Sequence, residues 1–212
     1  MNLEVLSRPE YVVFTTREYA EASNIAAASA SRQLGATAER GPLVRLTRGV
    51  WANPSHPYFH PLACVPKLLG NEQGYVSFLT ALHRREIIQQ IPRSIQVATT
   101  GHARQLCTPG GSYEFLHVTP KMMRRGIEWA DTRVPYRIAT AEKALLDTLY
   151  ISRRRGRRFR SLPEVDLRPV TKRRFTELLQ DIDDPRIATA VRERFETMRQ
   201  SARLGSEARG DG

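Results

Sequence analysis

Three prolines fall within nine residues at Asn53-Pro-Ser-His-Pro-Tyr-Phe-His-Pro61. Proline fixes φ and removes a backbone donor, so this stretch can continue neither a helix nor a central strand. It divides the chain, and we place a boundary there, with residues 1–55 on one side and 56–204 on the other. Residues 205–212 are expected as a disordered tail. A chain of 212 residues leaves room for two small domains of this kind. Its composition, 41% hydrophobic and 26% charged, is that of a folded chain and not a disordered one. No run approaches the roughly eighteen apolar residues of a spanning helix. The opening MNLEVLSRPEYVVF lacks a basic segment leading into an apolar one, so neither a membrane nor a secretory leader is expected. Cys64 and Cys107 are too few for a disulfide framework, and a reducing cytoplasm is the expected compartment.

Charge adds a partner class. The chain carries 33 Lys and Arg against 22 Asp and Glu, net +11, and such an excess points to nucleic acid. The excess is uneven: residues 1–55 hold net +1, residues 56–150 net +4 and residues 151–212 net +6. The densest piece holds Arg153, Arg154, Arg155, Arg157, Arg158 and Arg160 with no acid among them. It reads equally as a solvated loop or as a source of extra phosphate contacts. The first 55 residues are polarised despite their small total. Residues 1–24 carry Arg8 and Arg17 against Glu4, Glu10, Glu18 and Glu21, whereas residues 25–55 carry Arg32, Arg40, Arg45 and Arg48 against Glu39 alone.

That polarity coincides with a pattern of elements. Thr15 and Thr16 precede a short helix over 17–23, with a hydroxyl N-cap and an acid in its first turn. Asn24 and Ile25 interrupt it. Residues 26–40 then read as a second helix closed by Gly41. At 100° per residue, Ala27, Ala30, Leu34, Thr37 and Ala38 share one face, while Ser29, Arg32, Gln33, Ala36 and Arg40 share the other. Leu43–Leu46, the turn Thr47-Arg48-Gly49 and Val50–Ala52 follow as a basic hairpin. Helix, turn, helix and basic hairpin is the order of a winged helix-turn-helix. In that reading the small residues Ala27, Ala28 and Ser29 let the helix enter a major groove. Ser29, Arg32 and Gln33 read base edges, and Arg40, Arg45, Thr47 and Arg48 hold the backbone. The plainer alternative is a small α+β subdomain whose arginines are a solvated face.

The hairpin segment Gly41-Pro-Leu-Val-Arg-Leu-Thr-Arg-Gly-Val-Trp-Ala-Asn53 resembles the N-terminal domain of the AbiEi antitoxin family of type IV toxin–antitoxin (abortive infection) systems. The resemblance continues through Gly74-Tyr-Val-Ser-Phe-Leu-Thr-Ala-Leu-His83, Ile95-Gln-Val-Ala-Thr-Thr100 and Arg137-Ile-Ala-Thr-Ala-Glu-Lys-Ala-Leu-Leu-Asp147. It spans about residues 14–150, and the ordered occurrence of wing and Glu-Lys motif is more specific than either alone. Trp51 stands where an aromatic, often Tyr, is usual, and the run from Arg153 has no counterpart. The resemblance implies an N-terminal winged helix that binds inverted repeats upstream of its own operon and represses it; the symmetry of such a repeat leads us to expect two copies on it. It also implies a C-terminal domain that counteracts a co-encoded nucleotidyltransferase-like toxin without a stable complex.

Read on its own residues, the second part is a mixed α/β domain with C-terminal helices. Tyr75–Arg85 reads as a strand end or an N-cap leading into a helix, Ile95–Thr100 as a half-buried strand, and Gln105–Thr108 with Ser112–Thr119 as a hairpin. Val134–Ala139 is a further strand, and Thr140 caps a helix over Ala141–Ile151. Its buried face is Ala141, Ala144, Leu145, Thr148 and Leu149, with Lys143 and Asp147 one turn apart on the opposite side as an exposed pair. Glu142, at the N-terminus of this helix, is either an anchor for backbone or Arg137, or part of a functional surface with Lys143 and Asp147. Asp184 and Pro185 start a last helix that packs through Ile187, Val191, Phe195 and Met198.

Other chemistries fit less well. His56, His60 and Cys64 recur every fourth residue, but Pro57 and Pro61 between them oppose a helix, so no metal or other cofactor is expected. The chain has no Gly-rich phosphate loop, Cys-x-x-Cys pair or glycine-flanked nucleophilic serine. Ser77 and His83 lie six apart and do not face each other on a helix. The expectation is therefore a non-enzymatic DNA-binding autorepressor and antitoxin. The alternatives are a stand-alone winged-helix regulator and a nucleic-acid-processing enzyme that docks through the same domain.

Overall fold

The computed structural model describes residues 3–154, 159 and 162–210. The chain is a mixed α+β fold built on two sheets. After a single-turn helix α1 (Leu3–Leu6), strand β1 (Val13–Thr15) leads into α2 (Thr16–Ala22) and α3 (Ala27–Glu39). The hairpin β2 (Val44–Thr47) and β3 (Val50–Ala52) follows, and the sheet order is β1-β3-β2, all antiparallel. β1 is the element the sequence reading left out, although Val12-Val13-Phe14-Thr15 is a run of β-branched and aromatic residues suited to a strand.

Local chemistry sets these boundaries. Thr15 accepts the Glu18 amide at 3.1 Å, and the Glu18 carboxylate takes the Thr15 amide at 2.7 Å, a capping box. Asn24 turns the chain at φ +51°, and Gly41, at φ +111°, ends α3 by donating to Thr37 and Ala38 carbonyls. Strand alternation gives the sheet two faces. Phe14 and Trp51, cross-strand partners, pack with Tyr19, Ala30 and Leu34 under the helices. Val13, Leu46 and Ala52 belong to the core of the second sheet. The N-terminal sheet is thus shared between two cores. The proline-rich segment that leaves it is packed down, with His56 buried and bonded to the Ser7 carbonyl at 3.1 Å.

The second sheet has six strands in the order β6-β7-β5-β4-β9-β8. In chain order α4 (Val65–Leu69) precedes β4 (Gly74–Val76), α5 (Phe78–Arg84), β5 (Ile95–Thr99), β6 (Arg104–Thr108) and β7 (Gly111–His117). Then come β8 (Ile127–Trp129), β9 (Arg137–Ala139), α6 (Ala141–Arg154), α7 (Lys172–Leu178) and α8 (Pro185–Gly210). β4 and β5 run parallel to β9 and β7 respectively, and the other pairs are antiparallel. Tyr75, Ala98 and Leu116 share the face on which α6 lies. Val76, Val97 and Phe115 share the face turned to α4 and the N-terminal sheet.

Because both faces are covered, β5 differs from the half-buried strand expected: Gln96, Val97, Ala98 and Thr99 are all buried. α4, β8 and α7 are further elements that the sequence reading did not assign. α8 starts as expected, with the Arg186 amide on the Asp184 carboxylate at 2.8 Å. It runs on to Gly210, through residues read as a disordered tail, since Ser206–Arg209 contains no helix breaker. No described helix is long and apolar enough to cross a membrane.

Candidate nucleic-acid interface

α3 carries its buried residues Ala30, Leu34 and Thr37 against the first core and leaves Ala28, Ser31, Arg32, Ala36, Glu39 and Arg40 exposed. The outward side is low in bulk. A Cβ placed on Gly35 would have open space around it. Ala27, assigned by helical periodicity to the buried face, is exposed, because that face begins only where the helix has passed the turn from α2. Ser29 is half-buried and its hydroxyl lies 3.4 Å from the Arg32 guanidinium. Gln33 is also half-buried, and its side-chain oxygen accepts the Tyr19 hydroxyl at 3.3 Å. Of the three expected base-reading residues, Arg32 alone is fully turned outward.

The hairpin brings Arg45 to the same side. Arg45 pairs across the strands with Trp51, and cross-strand partners project from one face. That is the face which buries Trp51 with Ala30 and Leu34. The Arg45 guanidinium stacks 5.7 Å from the Trp51 ring centroid and donates to the Thr47 carbonyl at 3.3 Å. A bulge between Arg45 and Thr47 precedes the two-residue turn Arg48-Gly49, where Gly49 takes φ +75° and Arg48 is exposed. The turn is held to α2 by the Thr16 amide on the Gly49 carbonyl, at 2.9 Å. The Trp51 indole N–H adds a bond to the Thr16 hydroxyl, also at 2.9 Å. The hairpin is therefore tied to α2, and Arg32, Arg40, Arg45 and Arg48 are all exposed.

The residues packed around the six-stranded sheet overturn the expected surface. Glu142, Lys143 and Asp147 are 3%, 1% and 0% exposed, so they form no surface. α6 is enclosed all round, by the sheet on one side and by α5, α7 and α8 on the others. The second face of the helix, polar in sequence, is buried as well. Lys143 and Asp147 form an ion pair, and Asp147 also accepts the Ser77 hydroxyl at 2.7 Å and the Tyr75 hydroxyl at 2.9 Å. The Lys143 ammonium stands 5.3 Å from the Tyr75 ring centroid. Burial first, and then the Asp147 charge, raise the Tyr75 phenol well above its ordinary range, which keeps it a neutral donor. Glu142 is an anchor for backbone, accepting the amide of Thr171, the N-cap residue of α7, at 3.1 Å. Nothing in the local sequence links Tyr75 and Ser77 to a residue seventy positions away, and only the β4–α6 packing does so.

The remaining candidates are accounted for by local structure. His60 accepts the Ala63 amide at 3.1 Å and caps a short turn, and burial with the nearby Arg84 charge lowers its pKa. Burial also pushes the Cys64 thiol up to about 11. Among the described residues, no three His, Cys, Asp or Glu side chains stand together as metal ligands would. Arg153 and Arg154 are exposed at the end of α6, and Arg154 lies 3.3 Å from the Tyr150 hydroxyl. Arg155, Arg157, Arg158 and Arg160 lie outside the described residues. No family model matches this chain, and no curated protein matches it either.

Proposed function

We propose that the chain is a DNA-binding transcriptional autorepressor whose first 55 residues act as a winged helix-turn-helix. One observation carries the reading. The order strand, helix, helix, hairpin, with sheet order β1-β3-β2, accompanies four exposed arginines spread over α3 and the hairpin. In a winged helix the second helix of the pair enters the major groove and the hairpin meets adjacent backbone or minor groove. Arg32 then reads a guanine edge, with Ser29 orienting its guanidinium and Gln33 positioned by Tyr19. Arg40, Arg45, Thr47 and Arg48 contact phosphates, and two copies occupy an inverted repeat. The antitoxin half of the proposal, in which residues 56–204 counteract a co-encoded nucleotidyltransferase-like toxin in the cytoplasm, rests on the resemblance to AbiEi proteins. It involves no catalytic step.

Mobility-shift titration on the DNA upstream of the chain's own gene tests the first half. The Arg32→Ala, Arg48→Ala double variant is expected to lose specific binding, and each lost phosphate contact lowers the salt slope by about 1. Wild-type binding by that variant removes the assignment. Co-expression with the neighbouring gene product tests the second half, and unrelieved toxicity would leave a plain repressor.

A further inference from the structure

The hairpin β2–β3 is out of step with its own turn. The two-residue turn Arg48-Gly49 sets Thr47 against Val50, and regular pairing would then set Leu46 against Trp51 and Arg45 against Ala52. Cross-strand partners share a face. Leu46 would project with Trp51 towards α2 and α3, and Arg45 with Ala52 into the core of the six-stranded sheet. The observed register is the reverse. Arg45 opposes Trp51, and Leu46 is the extra residue of the bulge, 5% exposed within the core of the six-stranded sheet. One bulge thus turns Arg45 to the side of α3 and Leu46 inward. What Leu46 meets there is the β6–β7 turn. A Cβ on Gly110 would stand 2.6 Å from Leu46 Cδ2 and 3.5 Å from Cys64 Sγ, so the bare backbone at Gly110 makes the seat. Gly110 is buried and held on both sides: its amide donates to the Thr108 hydroxyl at 3.1 Å, and its carbonyl accepts the Tyr113 hydroxyl at 3.1 Å.

We propose that Leu46 and Gly110 are positioning residues for DNA binding: the β6–β7 turn pins the bulge, and the pinned bulge fixes where Arg45 and Arg48 stand. The inference rests on the winged-helix reading of the hairpin and deepens it. An extra residue interrupts the ladder of a strand, so a bulge persists where something else holds it. Here the hold is the burial of the Leu46 side chain in a seat whose backbone is itself bonded in place. With the seat filled or emptied, the pairing that the turn prefers draws Leu46 back towards Trp51. Arg45 then leaves its place over the Trp51 ring, 5.7 Å from the centroid. Arg48 moves with it, because it is the first residue of the turn and only two positions beyond Leu46. Affinity for DNA is in this way set partly from the six-stranded sheet.

A pair of compensating substitutions in the full chain tests it. Gly110 does not take a left-handed φ, so Gly110→Ala is opposed by Leu46 and not by its own backbone. Leu46→Val removes the Cδ atoms and makes room for the added methyl. The first readout contains no DNA. In a Trp129→Phe background Trp51 is the one tryptophan left, and its emission reports the Arg45 guanidinium stacked on it. Gly110→Ala is expected to change that emission, and Gly110→Ala with Leu46→Val to restore it. The second readout is binding to the DNA upstream of the chain's own gene as a function of salt, at a temperature where melts show every variant folded. Gly110→Ala is expected to lower the salt slope by about 1 to 2, one for each displaced arginine, with the same rescue. Adding Arg48→Ala to Gly110→Ala should lower it by less than the two changes do separately. Leu46→Ala, which empties the seat, is expected to act in the same direction and serves if Gly110→Ala does not fold. Wild-type emission in these variants, a change that Leu46→Val does not reverse, or a full salt slope in variants whose emission has moved overturns the proposal. A wild type that binds no operator, with the emission changes as expected, removes the repressor reading and leaves Leu46 as the clamp of the hairpin.

Discussion

α3 and α6 are of nearly equal length, both amphipathic by sequence, and the chain uses their charges in opposite ways. α3 has one open side, so its arginines point outward, and its helical periodicity describes its burial except at Ala27, which is exposed, and at Ser29 and Gln33, which are half-buried. α6 is covered on every side: Lys143 and Asp147, which look outward on a helical wheel, close a polar centre against Tyr75 and Ser77, and Glu142 is buried on the backbone of Thr171. The difference teaches that periodicity reports polarity, not exposure. What decides exposure is how many layers surround the helix. α3 packs on α2 and the three-stranded sheet, whereas α6 is enclosed by a sheet and three helices.

The sharpest way to break this comparison is to remove the buried charge partner. Asp147→Ala leaves the Lys143 ammonium at 1% exposure without its carboxylate, and strands the Tyr75 and Ser77 hydroxyls. Breaking a buried pair from one side costs about 3–5 kcal/mol. Arg32→Ala, on an exposed side chain of α3, should shift stability by less than about 0.5 kcal/mol. Urea denaturation of the two variants measures both. The Lys143→Met, Asp147→Leu double variant should recover much of the loss, because replacing both charges removes the desolvation cost along with the attraction. Equal midpoints for Asp147→Ala and Arg32→Ala would mean that Lys143 and Asp147 are solvated after all.

Gly126 sharpens the same point from the backbone side. It sits at φ +71°, and a Cβ there would stand 2.8 Å from the Lys143 Cβ. The loop before β8 is therefore pressed onto α6 at the residue that carries the buried ammonium. Gly126→Ala combines an unfavourable left-handed φ with overpacking, for an expected loss of about 1–3 kcal/mol. A Gly35→Ala change on α3 meets open space at a helical position and should be neutral or stabilising. Thermal melts of the two variants moving in the same direction would contradict the enclosure of α6.

How much of this was legible in the sequence follows from how local each cause is. The capping box of α2, the Gly41 stop, the Arg48-Gly49 turn and the Asp184 cap all rest on residues within four positions of one another, and each lies where the sequence puts it. Strand β1 was readable from its β-branched run, but it acquires a role only when β3 pairs with it across some 37 residues. The Tyr75–Ser77–Asp147 cluster, the sharing of the N-terminal sheet between two cores and the burial of β5 on both faces all depend on contacts between distant segments. Gln33 is an intermediate case. The sequence puts it on the polar side of α3, whereas it is half-buried and bonded to Tyr19, which required knowing how α2 crosses α3.

The smallest expected effect lies where the two regions touch. Glu18 belongs to the capping box of α2 and is also paired with Lys67 on α4, so one carboxylate ties the candidate DNA-binding unit to the second domain. Burial alone would raise its pKa, but the bonds from Lys67 and Thr15 outweigh that and hold it below the ordinary carboxylate range. A depressed folded-state pKa means that the contribution is fully present above the unfolded value near 4.3 and is lost as pH falls through the folded value. Glu18→Gln should therefore cost stability at pH 6 and progressively less as the pH drops below about 4.3, where the wild type loses the same interaction. Because the carboxylate is 42% exposed, the difference should be small and should shrink further in added salt. Urea midpoints for the two proteins from pH 6 to pH 3 read this directly. A gap that stays constant across the range would show that the Glu18 charge does not contribute, and that the tie between α2 and α4 is made by packing alone.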